Sequence, residues 1–514
     1  MVQDKPTIFL RNATGLRKNV SFLDAISLNF GAMAVGPALG SISFTIILMP
    51  TIAGLNLVYA SIISFLLVIP SLVVYTMFGR RITRTGGDYV WITRELNPIL
   101  GSGLAFSGYV VAALAFSALI VISVVLAIGA VGVSLGNLNY LSLALPANVQ
   151  GSSPISQFVI GAVILAALIA MSVVSSKLSF RIITVTALLS ILFLIIGVVV
   201  LVSGGRTGVE NYVSALGNSN ITYTSVASSY TGSSFEWGST LFIIPFFAIF
   251  TYPFFNPAPV VGSELKGKNA VRWNGVIAGV MAVVFMTLPL AVMYYVGGQN
   301  FVNGAFVNPA MVFNYSFNFW TLAMGVAGNP VLALAIGLGW ILGWIANLEA
   351  NIIQVSRYLF AMSFDRVLPS RLANVQPRFG TPTLVYSIFF VVVLILVALA
   401  TYFYGTFVSL FGAVVATMIY FLFIGVTAIV YGARKEKGPT KAFFIIAGGL
   451  MTVIFLYLSY DFFAYPGVWG GNTLAYGLAG GAFVFAILVY FVSKQYYAKK
   501  GVDISLVFKE IPPE

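Results

Sequence analysis

One acidic residue, Glu349, lies near the middle of a long apolar stretch of the sequence. Asn347 and Asn351 are four residues apart, so on a helix they share one face, and Gln354 follows three residues later. Glu349 is two residues from each asparagine and therefore points aside from that face. A carboxyl group among apolar residues is costly, and it commonly serves to bind a proton or an ion. Glu349, Asn347 and Asn351 are therefore candidates for ion chemistry; the alternative is a carboxyl group neutralised by protonation or by a packed donor.

Two residue types that carry much of enzyme chemistry are missing, because the sequence contains neither histidine nor cysteine. This excludes a Ser-His-Asp triad, a thiolate nucleophile and a zinc site built on histidine. No clustered pair of carboxylates suits acid–base catalysis, and no G-x-x-x-x-G-K-[ST] run is present to bind a nucleotide. The sequence predicts no enzyme, no catalytic residue, no metal centre and no cofactor.

The elements that must position these residues follow from composition. Of 514 residues, 59% are hydrophobic and only 8% are charged, whereas a soluble domain carries about 25% charged residues. Apolar runs of about 20 residues, the length that crosses a bilayer, recur to the end of the chain. They predict an all-α polytopic membrane protein with twelve spanning segments: 22–49, 57–78, 99–133, 155–175, 180–203, 237–262, 273–297, 330–362, 382–404, 406–433, 442–460 and 473–493.

The basic residues fall on one side of this predicted arrangement. With the N-terminus in the cytoplasm, every lysine and arginine except Arg206 lies in a tail or beside a cytoplasmic loop. Cytoplasmic loops are enriched in these residues, which accounts for the net charge of +12 without a nucleic-acid partner. We predict a multi-pass protein of the plasma membrane with both termini in the cytoplasm. The outer loops then carry glycosylation sequons at Asn220 and Asn314.

Two of the apolar segments contain residues that interrupt a helix. They lie near the middle of segments 1 and 6: Gly31, Gly36, Pro37 and Gly40 in the first, and Pro253, Pro257 and Pro259 in the sixth. Either interruption alone is explained by a kink packed against its neighbours. Their positions, five segments apart, favour two inverted five-helix repeats with a substrate site between discontinuous helices. Bare N–H groups suit a carboxylate and unwound carbonyls suit an ammonium group, so we expect both breaks to line one cavity for a zwitterion.

Four places in the sequence carry more specific motifs. They are R-T-G-G-D-Y-V-W-I-T-R-E-L-N-P-I-L-G at 84–101, K-L-S-F-R at 177–181, G-S-E-L-K-G-K at 262–268, and S-R-Y-L-F-A-M-S-F-D-R-V-L-P at 356–369 with P-R-F-G-T-P at 377–382. Together they resemble the amino acid–polyamine–organocation transporters. In that family the first motif follows helix 2, the second lies between helices 4 and 5, the third ends helix 6, and the fourth connects helices 8 and 9. The resemblance extends over about 20–435, and the last two segments agree in hydropathy alone.

This resemblance implies a fold and a function. The fold is LeuT-like, with five plus five helices in inverted repeat, discontinuous helices 1 and 6, and two extra C-terminal helices. The function is secondary active transport of amino acids by alternating access, as in amino acid permeases. The implied organisation is a cytoplasmic tail at 1–21, repeats at 22–203 and 237–433 around an outer loop at 204–236, two helices within 434–493, and a second cytoplasmic tail at 494–514.

The resemblance also implies which residues bind the substrate. They are Gly31, Ala32, Met33, Ala34, Val35 and Gly36 at the first break, and Thr251, Tyr252, Pro253 and Phe254 at the second. The sequence departs from the family at both, since a Gly-Ser-Gly run is loosened to G-A-M-A-V-G and the second break is rich in proline and aromatic residues. The bulky side chains of Met33, Tyr252 and Phe254 favour a neutral, fairly apolar amino acid.

The coupling mode is open at this point. Family members driven by protons often carry a lysine in segment 5, where this sequence has Ser190, which the resemblance makes a further coupling candidate. Lysine-based coupling is therefore disfavoured, while sodium symport, exchange, uniport and protonation of Glu349 remain. A polyamine or organic-cation carrier of the same fold is a rival, although neither break contains a carboxylate. A transport-inactive membrane sensor is a second rival, and the oligomeric state is open.

Three other acidic residues and one tryptophan are expected to serve the structure. Asp24 lies at the start of segment 1, where a carboxylate caps a helix N-terminus. Asp88 follows a pair of glycines and is expected to order its loop. Glu264 is expected to pair with basic residues of its own loop, and Trp320 to pack rather than to contact a ligand.

Overall fold

The computed structural model describes residues 16, 18–146, 149–218, 220–376 and 378–509. These residues form helices, with isolated β-bridges but no named strand among them. The principal helices are α1 (Phe22–Ala32), α2 (Val35–Ile46), α3 (Leu57–Arg81), α4 (Asp88–Glu95), α5 (Pro98–Ser134), α6 (Pro154–Val174), α7 (Ser176–Ala215), α8 (Trp237–Phe250), α9 (Pro257–Val260), α10 (Gly267–Gly297), α11 (Pro330–Phe364), α12 (Thr383–Tyr402), α13 (Tyr404–Gly412), α14 (Val415–Lys435), α15 (Gly438–Ala464) and α16 (Thr473–Ala498). Short helical turns lie at Leu138–Tyr140, Leu141–Ala144, Tyr223–Ser229, Gly262–Glu264, Gln299–Val307, Ala310–Asn314, Phe319–Val326, Ser370–Ala373, Pro466–Trp469 and Ile504–Lys509.

The chain is an all-α polytopic membrane protein. Within the described residues, eleven helices are long and apolar enough to cross a membrane. They coincide with eleven of the twelve predicted segments. The sixth segment differs, because its apolar helix α8 ends at Phe250, which makes it too short to be counted among the eleven. The predicted tails at 1–21 and 494–514 lie partly outside the described residues.

Helix α7 differs from its predicted segment, which ended at 203. Gly205 has a non-helical backbone with a φ of 55°, so the chain kinks there and a second helical stretch continues to Ala215. The continuation is held by Tyr212, which is buried and packs so closely on Gly325 that a Cβ there would lie 2.0 Å from its ring. The predicted outer loop at 204–236 therefore begins as helix. A local hydropathy pattern misses this extension because tertiary packing, not membrane length, sustains it.

Several spanning helices begin with an asparagine whose side chain accepts hydrogen bonds from N–H groups of the first turn. Asn56 caps α3, Asn97 caps α5, Asn329 caps α11 and Asn472 caps α16. Such a cap satisfies donors that have no partner inside the helix. In α5 and α11 a proline follows the cap at the first helical position, where its missing N–H costs nothing. The starts of these helices are therefore encoded locally.

Helices α1, α2 and α11 lie in the interior of the bundle. The apolar stretch of α1 and α2 is 94% buried by the protein itself, whereas that of α16 is 17% buried and leaves most of its apolar surface for lipid. Helix α11 contacts α1, α2, α5, α7 and α12 and is buried almost continuously from residue 346 to 363. The discontinuous first segment thus lies in the centre of the protein, next to the helix that carries Glu349.

Gly40 permits the closest approach within this centre. A Cβ added at Gly40 would lie 2.1 Å from the indole nitrogen of Trp340 on α11, a distance that side chains do not tolerate. The glycines of segment 1 therefore allow tight packing of α2 on α11. They do not themselves form the break, which lies at Met33 and Ala34.

We predict that Gly40→Ala lowers the stability of the purified protein by about 1–3 kcal/mol, because the added methyl group overpacks the contact with Trp340. Thermal unfolding in detergent measures this loss. Gly449→Ala in α15 is the matched control, since a Cβ there meets nothing within 4 Å. Equal melting temperatures of the two variants would show that α2 and α11 are not packed as described.

Candidate functional site

The first break separates α1 from α2 by a turn at Met33 and Ala34. Ala34 has a φ of 50° in the left-handed region, which is unfavourable for a residue with a Cβ and needs support from its surroundings. The support comes from α11, where the Asn347 amide nitrogen donates to the carbonyl oxygens of Gly31 and Ala32 at 3.0 and 3.2 Å. The freed carbonyls at the end of α1 therefore have partners.

The start of α2 is held from another direction. The indole nitrogen of Trp320 donates to the Gly36 carbonyl at 2.8 Å, and Trp320 is fully buried. Ser190 lies beside Gly36 and donates to the Gly339 carbonyl of α11 at 2.7 Å. Trp320 therefore packs, as expected, and also supplies a hydrogen bond at the break, whereas Ser190 joins α7 to α11.

The second break separates α8 from α9. Helix α8 ends at Phe250, the N–H of Tyr252 reaches back to the Phe247 carbonyl at 2.9 Å, and the chain is irregular until Pro257 starts α9. The N–H of Ala258 in α9 donates to the Asn29 side chain of α1 at 2.9 Å. Asn29 therefore caps a helix 229 residues away in sequence.

Asn29 has a second bond that fixes its orientation. Its amide nitrogen donates to the side-chain oxygen of Asn274 on α10 at 2.7 Å, and both asparagines are buried. One amide thus connects α1, α9 and α10. Asn29 was not predicted as a functional residue from the sequence. It could have been noticed as a polar amide within the apolar segment 1, two residues before Gly31.

One cavity lies against both breaks and the amide face of α11. Its lining comes from α1, α5, α8, the chain after α8, α11, the α13–α14 turn and the start of α14: Ala32, Tyr109, Ala112, Ala113, Phe116, Phe250, Phe254, Asn347, Asn351, Gln354, Val414 and Thr417. The free space is about 30 Å³, enough for roughly two water molecules. The lining is mostly apolar, with its amides concentrated on α11.

The amides of α11 differ in how far they are satisfied. Asn351 donates to the Asn347 carbonyl of its own helix at 3.0 Å. Gln354 donates to the Ala350 carbonyl and accepts a hydrogen bond from the Tyr109 hydroxyl of α5. The side-chain oxygen of Asn347 is buried and has no partner among the residues that the structure describes. That oxygen is an acceptor available to a ligand in the cavity.

The predicted site residues separate into two groups. The structure brings Ala32 and Phe254 of the two breaks, together with Asn347 and Asn351, to the cavity wall. The other predicted residues are not among those that line it: Gly31, Met33, Ala34, Val35, Gly36, Thr251, Tyr252, Pro253, Glu349 and Ser190. Tyr252, for example, is hydrogen-bonded to Ser61 of α3.

Eight residues of the cavity wall were not among the predicted site residues, namely Tyr109, Ala112, Ala113, Phe116, Phe250, Gln354, Val414 and Thr417. Phe250 directly precedes the second break, and that position was the available signal for it. The others lie in apolar segments without such a break, where no local signal distinguishes them from packing residues. Gln354 was noted in the sequence as following Asn347 and Asn351 on the same stretch of α11, but it was not predicted as a site residue.

Glu349 lies on another side of α11 from the cavity. It is fully buried and accepts a hydrogen bond from the Ser172 hydroxyl of α6 at 2.6 Å. Its second carboxyl oxygen has no hydrogen-bond partner within the described part of the chain. Its neighbours two residues away, Asn347 and Asn351, do line the cavity. The structure therefore places the carboxyl group beside the site rather than in it.

The charges expected to serve the structure have definite partners. Asp24 forms a capping box with Ser21 at the start of α1, as predicted. Glu264 does not pair within its own loop; both of its carboxyl oxygens accept from Arg357 of α11, at 2.8 and 2.9 Å. Asp88 is fully buried and accepts hydrogen bonds from the hydroxyls of Tyr75 and Tyr358.

A family model described as amino acid permease matches residues 20–493 of the chain. The matched range begins just before α1, ends within α16 and includes both breaks and every residue of the cavity wall. A search of curated proteins finds no match.

We predict that Asn29→Ala destabilises the second break selectively. The change leaves the Ala258 N–H and the Asn274 oxygen buried without a partner, which costs about 1–3 kcal/mol for each group. Hydrogen–deuterium exchange should then show lost protection in α9 together with a lower melting temperature. Asn351→Ala is the matched control, because its amide bonds only to a carbonyl of its own helix. Unchanged exchange in α9 of Asn29→Ala would contradict the capping role.

Proposed function

Because the chain belongs to the amino acid permease family, we propose that it is a secondary active transporter that moves neutral amino acids across the plasma membrane by alternating access. The observation that carries this proposal is the cavity between two interrupted helices. Its wall combines a backbone break, an amide face and aromatic side chains. Alternating access requires the walls of such a cavity to move, so that substrate enters from one side and leaves on the other.

The start of α2 supports recognition of the substrate carboxylate. The first N–H groups of a helix have no partner within it, and in α2 these are the N–H groups of Val35 and Gly36, since Pro37 has none. Together with the partial positive charge of a helix N-terminus they suit a carboxylate. The proposed carboxylate subsite is therefore the turn at Met33 and Ala34 with the first residues of α2. This turn does not line the cavity itself but follows directly on Ala32, which does, so we propose that the carboxylate reaches it when the walls move.

The amide face of α11 supports recognition of the substrate ammonium group. The side-chain oxygen of Asn347 is an acceptor without a partner among the described residues, and its side chain lines the cavity. Leaving such an acceptor buried and unpaired is costly, and an ammonium group relieves that cost. We assign Asn347 to the ammonium subsite.

The remaining wall supports a neutral, fairly apolar side chain as the substrate. Phe116, Phe250 and Phe254 supply aromatic surface, and Ala112 and Val414 supply aliphatic surface. No carboxylate occurs among the residues of the wall. A polyamine would need such charges at each of its ends, so the polyamine alternative lacks support.

The positions of the two breaks support the repeat arrangement. They fall in the first and the sixth apolar segments, as two inverted repeats over 22–203 and 237–433 require. Helices α15 and α16 are then the two additional helices. The basic residues favour an orientation with both termini in the cytoplasm.

We predict that amino acids with both backbone charges inhibit uptake, whereas esterified or N-acylated derivatives compete at least about tenfold less well. Each derivative removes one charge-assisted hydrogen bond, worth about 1.5–3 kcal/mol. The measurement is competition against radiolabelled neutral amino acids in proteoliposomes. Equal inhibition by the derivatives would argue against a zwitterion site.

Glu349 is the proposed coupling group. A buried carboxyl beside the cavity, with one oxygen bonded to Ser172 and the other unpaired among the described residues, is able to take up and release a proton. Protonation would change the contact of α11 with α6, on the side of α11 away from the amide face, as the helices move. Neither a lysine in segment 5 nor a cofactor enters this scheme.

We predict that Glu349→Gln abolishes uptake driven by an inward proton gradient, while counterflow of substrate against substrate is retained. The amide keeps the shape of the side chain and its acceptor for Ser172 but cannot carry the proton. Asp461→Asn in α15 is the matched acid-to-amide control, and its proton-driven uptake should equal that of the wild type. Proton-driven uptake that persists in Glu349→Gln would remove Glu349 from the coupling step.

A further inference from the structure

The carbonyl end of α1 lies buried in the centre of the bundle. A helix C-terminus carries a partial negative charge, because its last carbonyls have no partner in the helix. In broken membrane helices such carbonyls are a place where a sodium ion binds. In this protein the carbonyls of Gly31 and Ala32 are bonded to the Asn347 amide nitrogen at 3.0 and 3.2 Å.

The Asn347 side chain has one possible orientation at this position. With its nitrogen toward the two carbonyls it donates to both, whereas the reverse orientation would bring three oxygens together without a donor. Helices α1 and α11 approach closely here, since a Cβ at Gly31 would lie 3.2 Å from the Ala346 carbonyl oxygen. Asn347 is 1% exposed, so its amide group is held in a confined space.

We propose that the Asn347 amide takes the place of a sodium ion at the carbonyl end of α1. Its two N–H bonds present partial positive charge to both oxygens. The Gly31 oxygen also accepts from the Ala34 N–H at 3.2 Å, so the Ala32 oxygen is the one that depends on Asn347 or on a cation. The nitrogen position also excludes an ion from the space between the two carbonyls. One consequence rests on the proposed function: if the protein is a transporter, it transports its substrate without sodium. Its other consequences concern ion binding and are independent of transport.

The carboxylate of Asn347→Asp has nearly the same shape but no N–H donor. Its oxygen and negative charge would face the carbonyl oxygens of Gly31 and Ala32. The three oxygens together are hard ligands suited to a cation. We expect the purified variant to melt about 3 °C or more higher in sodium chloride than in choline chloride of equal ionic strength, at mildly alkaline pH. The wild type should melt at the same temperature in both salts.

Asn351→Asp is the matched control for the added charge. It lies one helical turn further along α11 on the same cavity, but its amide faces a carbonyl of its own helix. We expect no difference between sodium and choline in this variant. Asn347→Ala tests whether loss of the amide alone makes the melting temperature depend on sodium. Because alanine supplies no oxygen ligand, we expect this variant to lose the same stability in both salts.

Three results would overturn the proposal. The first is a sodium-specific rise in the melting temperature of the wild type. The second is a folded Asn347→Asp protein, monodisperse in size-exclusion chromatography, that melts equally in sodium and choline. The third is a rise in the melting temperature of Asn351→Asp or Asn347→Ala in sodium, relative to choline, that is as large as the rise in Asn347→Asp. None of these depends on amino acid uptake, so a failure of the transport proposal is read separately, from the uptake of substrate by wild-type proteoliposomes.

Discussion

In the interior of a membrane protein, every backbone N–H and C=O group released by a broken helix must find another partner, because neither lipid nor apolar side chains provide one. This constraint shapes the centre of the molecule. The chain is interrupted between α1 and α2 and between α8 and α9, and each interruption is held by polar side chains from distant helices. The first depends on Asn347 and Trp320, and the second on Asn29.

The same constraint explains why the two breaks belong together. Asn29 extends from α1 to α9, so the first interrupted helix supports the second. Helix α11 carries Asn347 to the first break and places Asn351 and Gln354 on the cavity beside it. A displacement of α1 relative to α11 would therefore change the hydrogen bonding at the break and the shape of the cavity at once. This linkage is the physical basis on which substrate binding and helix movement can be coupled.

Buried charges need hydrogen-bond partners even more than buried backbone groups do. Burying an ion costs several kcal/mol unless its partners are close and well oriented. Glu264 and Arg357 meet this condition through two parallel hydrogen bonds, and Arg357 also donates to Tyr386 and Ser356. Asp88 meets it through tyrosine hydroxyls that approach from α3 and α11. Glu349 has a single hydroxyl partner among the described residues, and this contrast is what makes it the carboxyl group suited to a change of protonation.

The amino-acid sequence by itself determined the class of the protein, the position of eleven of its spanning helices, the two interruptions and the motifs of the permease family. These follow from local properties: hydropathy over about 20 residues, caps such as Asn329, and glycine or proline within an apolar run. The tertiary structure alone decided where the first break lies, since Ala34 rather than a glycine takes the left-handed conformation and Gly40 serves close packing on Trp340. It also decided that Glu264 pairs with Arg357, that Asn29 caps α9, and that Phe116, Phe250 and Thr417 share a cavity with Ala32. These partners are separated by tens to hundreds of residues, and whether a buried polar group is satisfied depends on which helices pack together, a property that no local stretch of sequence contains.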